Sequence, residues 1–187
     1  YFAFRHSAGL LDGTHLFNYE AHGPAARRFP AHVVSRNVAK LKVGRVTYVC
    51  WCDDEGKVVD DGTVARLEKH YYRVTSAEPS LHWFERFRRG YDVEIEDSTT
   101  RLGALSLQGP RSRDILKAVS DADLDELGFF ALTACEVAGV SGWITRTGYT
   151  GDLGYEIWVE SGDAEAVWDA IWEAGRPHAI LAAGLDA

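Results

Sequence analysis

The chain has 187 residues, of which 46% are hydrophobic and 26% charged, an ordinary composition for a globular protein long enough to bury a core. A net charge of −8 argues against a nucleic-acid or anionic-membrane surface, and no apolar run approaches the roughly 18 residues of a membrane span, so together with the absence of a signal peptide the expected location is cytoplasmic. Cys50, Cys52 and Cys135 are an odd number of cysteines, which fits free thiols in a reducing compartment.

Taken in order, Phe4, His6 and Leu10-Leu11 lead into a turn at Asp12-Gly13-Thr14-His15 and then a strand from Leu16-Phe17. Pro24 is placed to open a short helix over 24–30. Arg45–Cys52 reads as a strand, Asp53-Asp54-Glu55-Gly56 as its turn, and Val58–Leu67 as the returning strand. Glu68-Lys69-His70 turns the chain into a further strand, Tyr71–Thr75. A helix follows over 79–88, with Leu81, Trp83 and Phe84 as its apolar contacts.

Tyr91, Val93 and Ile95 alternate with acidic residues, the mark of a strand with one wet face. Arg101–Leu107 is the next strand, broken by Gln108-Gly109-Pro110, after which Ile115, Leu116 and Val119 line one side of a helix. Strands are expected at 133–138 and 143–147, joined by Gly139 to Gly142. Near the end, Ala164, Val167, Trp168, Ile171 and Trp172 keep helical spacing until Gly175 and Pro177. Irregular alternation of strands and helices with hairpin-length links predicts an α+β fold of mostly antiparallel sheets with packed helices.

Two stretches carry candidate chemistry. Gly148, Gly151 and Gly154 punctuate a loop that feeds a strand in which Tyr155, Ile157 and Val159 alternate with Glu156 and Trp158. By spacing alone this reads first as a β-turn with a solvated glutamate, and second as a binding loop. The other stretch is Asp60-Asp61, opposite Tyr48 across the expected hairpin. Adjacent aspartates suit a strand poorly; they either guard an edge or aim one carboxylate into a pocket and the other away. Cys50 and Cys52 share a strand face, but no Cys/His cluster completes a ligand set, so no metal is expected and the cysteines read as core thiols. His15 reads as a structural histidine before it reads as a ligand contact.

The motifs Gly44-Arg45-Val46-Thr47-Tyr48, Gly56-Lys57-Val58-Val59-Asp60-Asp61, Leu107-Gln108-Gly109-Pro110, Arg146-Thr147-Gly148-Tyr149-Thr150-Gly151 and Gly154-Tyr155-Glu156-Ile157, with Asp12-Gly13-Thr14-His15 and Asn37–Leu41, occur in that order. Together they resemble the aminomethyltransferase (glycine-cleavage T-protein) family along essentially the whole chain. The resemblance implies a tetrahydrofolate-binding protein of three domains in a ring, with folate in the central hole. It places residues 1–20 and 116–187 in a first, discontinuous folate-binding domain, and 21–115 in a second that carries Asp60-Asp61. The lack of methionine and the stop at Gly184-Leu185-Asp186-Ala187 suggest a fragment that lacks the C-terminal domain and a few dozen N-terminal residues.

By the resemblance, Glu156 accepts the two parallel donors of the pterin, its 2-amino group and neighbouring ring N–H. Tyr48 and Tyr149 line the folate rings, and Asp61 is the catalytic carboxylate beside the reacting nitrogens. The implied reaction moves a one-carbon unit to a folate nitrogen from a small-molecule donor or a lipoyl-carrier protein. Gly62, Cys50-Trp51-Cys52, Asp152 and the terminal Gly184-Leu185-Asp186-Ala187 depart from the glycine-cleavage pattern. They leave room for two alternatives: a tetrahydrofolate-dependent O-demethylase of methoxylated aromatics, and a non-catalytic folate-binding module or subunit.

Overall fold

The computed structural model describes residues 1–184; the terminal departure at Leu185-Asp186-Ala187 lies outside the described residues. In chain order the elements are α1 (Phe2–His6), β1 (Gly9–Asp12), β2 (Phe17–His22), α2 (Phe29–Val33), β3 (Arg45–Cys52), β4 (Val58–Glu68), β5 (Tyr71–Ser76) and α3 (Leu81–Phe87). There follow β6 (Glu94–Asp97), β7 (Leu102–Gln108), α4 (Ser112–Lys117), β8 (Leu132–Val137), β9 (Val140–Thr145), β10 (Gly154–Glu160), α5 (Ala164–Gly175) and β11 (Leu181–Ala182). Among the described residues every strand pairing is antiparallel except the short β1–β11 pair, so the fold is α+β as expected. No helix of the described residues is long and apolar enough to cross a membrane.

The chain divides into two compact units, Tyr1–His15 with Arg101–Ala187, and Leu16–Thr100. These bounds differ from the expected 1–20 with 116–187 and 21–115, and the strand pairings give the reason. Residues 16–20 lead into and begin β2, which pairs with β5 and β6 of the second unit. Residues 102–108 form β7, which pairs with β1 and β10 of the first.

The first unit holds a sheet in the order β11-β1-β7-β10-β9-β8. Tyr155, Ile157 and Val159 of β10 enter its core with Leu105 and Leu107 of β7 and with Val167 and Ile171 of α5. Trp168 and Trp172 of α5 cover the margin of that cluster, as their helical spacing implied. The β8–β9 hairpin turns on Ala138 and Gly139, both at positive φ (53° and 78°), the pair of left-handed residues a tight hairpin requires. Gly142 is therefore not part of the loop, as expected from sequence, but of β9, where a Cβ would fall 2.5 Å from the Trp158 carbonyl.

The second unit holds a sheet in the order β3-β4-β5-β2-β6, with Trp51, Tyr19, Tyr72 and Phe84 fully buried against it. Burying a large apolar side chain contributes about 1.5–3 kcal/mol, so these aromatics are part of what holds the unit together. Residues 24–28 form turns rather than the expected helix, which starts at Phe29 with Pro30 in its first turn. The helix-opening signal thus belongs to the second proline. The expected wet-faced strand is shorter than its alternation, beginning only at Glu94.

Candidate functional site

Two groups of side chains stand at the positions singled out by sequence, one in each unit. In the second unit, Asp53 closes the β3–β4 turn, its Oδ1 accepting from the backbone N–H of Glu55 and Lys57, each at 2.9 Å. Beyond a bulge that shifts the register between Trp51 and Cys52, Trp51 pairs with Asp60 and Cys50 with Asp61. Neighbouring strand residues point to opposite faces. Asp60 accordingly shares the face of the buried Trp51 and is itself 8% exposed. Its carboxylate accepts from the Glu78 N–H at 3.0 Å, the Asp61 N–H at 2.8 Å and the Ser80 hydroxyl at 3.5 Å, which makes it a structural group.

Asp61 lies on the other face, partly exposed, and accepts a hydrogen bond from the Tyr48 hydroxyl. Tyr48 stands opposite Thr63, so this bond runs diagonally across the strand pair. The bond to Asp61 is the main reason the Tyr48 phenol is pushed above its ordinary value, with desolvation second. The pair presents a carboxylate and a phenol on an open face, able to take up a proton or balance a nearby positive charge. Gly62, a departure from the glycine-cleavage pattern, has a steric cause: a Cβ there would fall 1.8 Å from the Thr75 carbonyl oxygen.

In the first unit, Glu156 stands near the start of β10, paired with Ser106 of β7 and Thr145 of β9. Its Oε2 accepts from the Thr147 hydroxyl; the Thr145 hydroxyl lies 3.4 Å from the same oxygen and 2.6 Å from the Thr147 hydroxyl, and its one proton serves either of them. Among the described residues no side chain or backbone group donates to Oε1. Burial pushes the Glu156 carboxyl above its ordinary value, and the two threonine hydroxyls partly offset this. Tyr149 is 65% exposed on the preceding loop; desolvation, then the charge of Glu156, raises its phenol. The departing residue Asp152 ties the loop to α1 through an ion pair with Arg5 at 2.5 Å.

Tyr48 and Asp61 are thus brought together in one unit, and Tyr149 and Glu156 in the other. Sequence reading missed the threonines that hold Glu156, and it took Gln108 as a strand-breaker and as part of a family motif without giving its side chain a contact. The signal that could have found Gln108 is a long amide at a strand end, with a glycine-rich loop to receive it. It also missed the buried pair of Glu20 and Arg73, 3.0 Å apart, which lies on the face of β2 and β5 opposite Tyr19, Tyr72 and Val74, where alternation reads as the polar side.

The three cysteines are free, and burial drives the Cys135 thiol up to about 11. Cys50 and Cys52 are only partly buried, so they are not the core thiols expected from the strand pattern; they lie on the face of β3 that carries Tyr48. Among the described residues Glu20, His22 and Glu96 bring three possible donor atoms within 4.8 Å of one another. The Glu20 carboxylate already engages Arg73 and, at 2.6 Å, the Tyr71 hydroxyl.

The family model described as GCVT N-terminal domain matches residues 1–187. An aminomethyltransferase of Streptomyces avermitilis is 37% identical over 187 residues, covering 98% of this chain and 50% of that protein. A trimethylamine-oxide aldolase of Ruegeria pomeroyi is 36% identical over 198 residues, covering all of this chain and 25% of that protein. The solved structure of the glycine cleavage system aminomethyltransferase T from Bartonella henselae superposes with a TM-score of 0.85 at 25% identity, over 98% of this chain and 50% of that one. A heterotetrameric sarcosine oxidase from Corynebacterium sp. U-96 shares the fold, with a TM-score of 0.71 at 17% identity. The chain spans about half the length of the curated aminomethyltransferases it matches. Matched from its first residue to its last, the chain belongs to the GCVT N-terminal domain family.

Proposed function

We propose that this chain supplies the folate-binding part of a tetrahydrofolate-dependent one-carbon transferase. The observation that carries the reading is Glu156: a carboxyl held on one oxygen by threonine hydroxyls, with the other oxygen open among the described residues. A pterin offers two parallel N–H donors, and an ionised carboxylate is the acceptor that takes both. In this reading Tyr149 and Tyr48 lie against the folate rings as flat surfaces with polar tips. Asp61 stands beside the reacting nitrogen, where a carboxylate holds a proton or balances positive charge while the one-carbon unit moves. The Tyr48 hydrogen bond would keep Asp61 aimed. Folate itself supplies the nitrogen that accepts the one-carbon unit.

The donor is either an aminomethyl group on a lipoyl-carrier protein or a small methylated molecule. The named relative trimethylamine-oxide aldolase favours keeping the second in view, because it is as similar to this chain as the aminomethyltransferases are. The O-demethylase reading belongs to the same branch of donors. The test is titration of the full-length protein with tetrahydrofolate, followed by a screen of both donor classes. Binding and turnover with either donor supports the reading; binding without turnover by any donor would make the chain a non-catalytic folate module; absence of binding would overturn it.

A further inference from the structure

We propose that Gln108 is a positioning residue for the ligand: it holds the 148–154 loop in the form that presents Tyr149 and Glu156. The inference rests on the reading of Glu156 as the pterin anchor. Gln108 ends β7 and is 1% exposed, so it does not itself meet a ligand. Its Nε2 donates towards the Thr147 carbonyl at 3.1 Å, the Tyr155 carbonyl at 3.4 Å and the Ser106 hydroxyl at 3.0 Å. Its Oε1 accepts from the Thr150 hydroxyl at 3.1 Å. Two carbonyls on one side and a hydroxyl donor on the other fix which way the amide points.

The glycine spacing of the loop follows from this amide. A Cβ on Gly148 would lie 2.1 Å from Gln108 Oε1, and one on Gly154 only 1.8 Å from it. Both glycines wrap the same side chain, leaving Gly151, at φ +78°, to make the turn between them. The amide thus grips the loop at 147, 150 and 155, on both sides of Tyr149. Through Thr147 the grip extends to the carboxyl itself, because the Thr147 hydroxyl donates to Glu156. A glutamate at 108 would set an oxygen against two carbonyls, and a hydrophobe would take the side-chain donor away from the Thr147 carbonyl. Either change releases the loop, and an unordered loop binds more weakly because ordering must then be paid out of the binding energy.

The test uses the full-length protein and tetrahydrofolate. Gln108→Glu should raise the dissociation constant about ten-fold or more, the size expected when one buried hydrogen-bond network is broken. In a Glu156→Gln background the same change should cost under about two-fold, because coupled residues are non-additive where independent ones add. If burial of the new carboxylate prevents folding, Thr150→Val removes only the Oε1 contact and should weaken binding, while Thr150→Ser restores it. A Gln108 variant, or Thr150→Val, that binds like wild type overturns the proposal alone, as does an equal loss in both backgrounds. A wild-type protein that does not bind tetrahydrofolate, or a Glu156→Gln variant that binds unchanged, overturns the reading of the anchor and this proposal with it.

Discussion

Asp61 and Glu156 are both strand carboxylates next to a tyrosine, yet they are held in opposite ways. Asp61 stands on the open face of a hairpin and receives one phenol hydrogen bond. Glu156, likewise only partly exposed, is held on one oxygen by threonine hydroxyls, and desolvation favours its protonated form. A group that must exchange protons gains from contact with water and freedom to reorient. One that must recognise a fixed pattern of donors gains from being locked. In the proposed function the first carboxylate serves reaction and the second recognition, and each substitution below tests one side of that proposal.

The largest expected effect is on turnover. Asp61→Asn is nearly isosteric but neither accepts a proton nor balances positive charge, and should lower turnover of the full-length enzyme about 10²–10⁴-fold with little change in folate affinity. Asp60 provides the control, because its carboxylate faces the packed side and receives two backbone N–H groups. Asp60→Ala should cost about 1–3 kcal/mol of stability in chemical denaturation, while the molecules that remain folded keep most of their activity. A severe loss of turnover in folded Asp60→Ala beside an active Asp61→Asn would exchange the two roles.

Next in size is the anchor. Glu156→Gln replaces one acceptor oxygen by a donor and should weaken tetrahydrofolate binding by about 1.5–3 kcal/mol, measured by titration, with the fold retained. An unchanged dissociation constant would remove the recognition half of the contrast.

The hairpin that carries Asp61 was legible in sequence for a local reason. Alternation, the Asp53–Gly56 turn and the pairing partner all fall within some twenty residues, so Arg45–Cys52 was found with its ends correct. The amphipathic pattern of α5 was legible for the same reason. What stayed hidden depends on distant partners. Nothing near Gln108 says that a loop forty residues later will close around it, and nothing near Glu20 names Arg73. Single residues also mislead where two satisfy the same rule: Pro24 and Pro30 both suit a helix start, and tertiary packing of Phe29 and Pro30 decided for the second. Of the candidate site, the strand faces of Asp60 and Asp61 could be read from the pleat. The threonine cradle of Glu156 could not, because it joins β9 and β10 only once the sheet has formed.

The smallest effect is one of pH. Folding raises the Glu156 carboxyl above its ordinary value. The folded protein therefore binds more protons than the unfolded chain between those two values, and stability falls as pH rises through that window. This contribution is fully present below the ordinary carboxylate value and is lost as pH passes the raised one. A ligand that donates two N–H groups to the carboxylate favours its ionised form, so ligand affinity should run the other way and rise with pH through the same window. Glu156→Gln should flatten both slopes, since the amide does not titrate there. Denaturation and binding measured across the acid range in wild type and variant separate this group from every other carboxylate, including the folate's own. If both slopes persist unchanged in Glu156→Gln, the titrating group lies elsewhere, and the locked carboxylate loses the electrostatic character that sets it apart from Asp61.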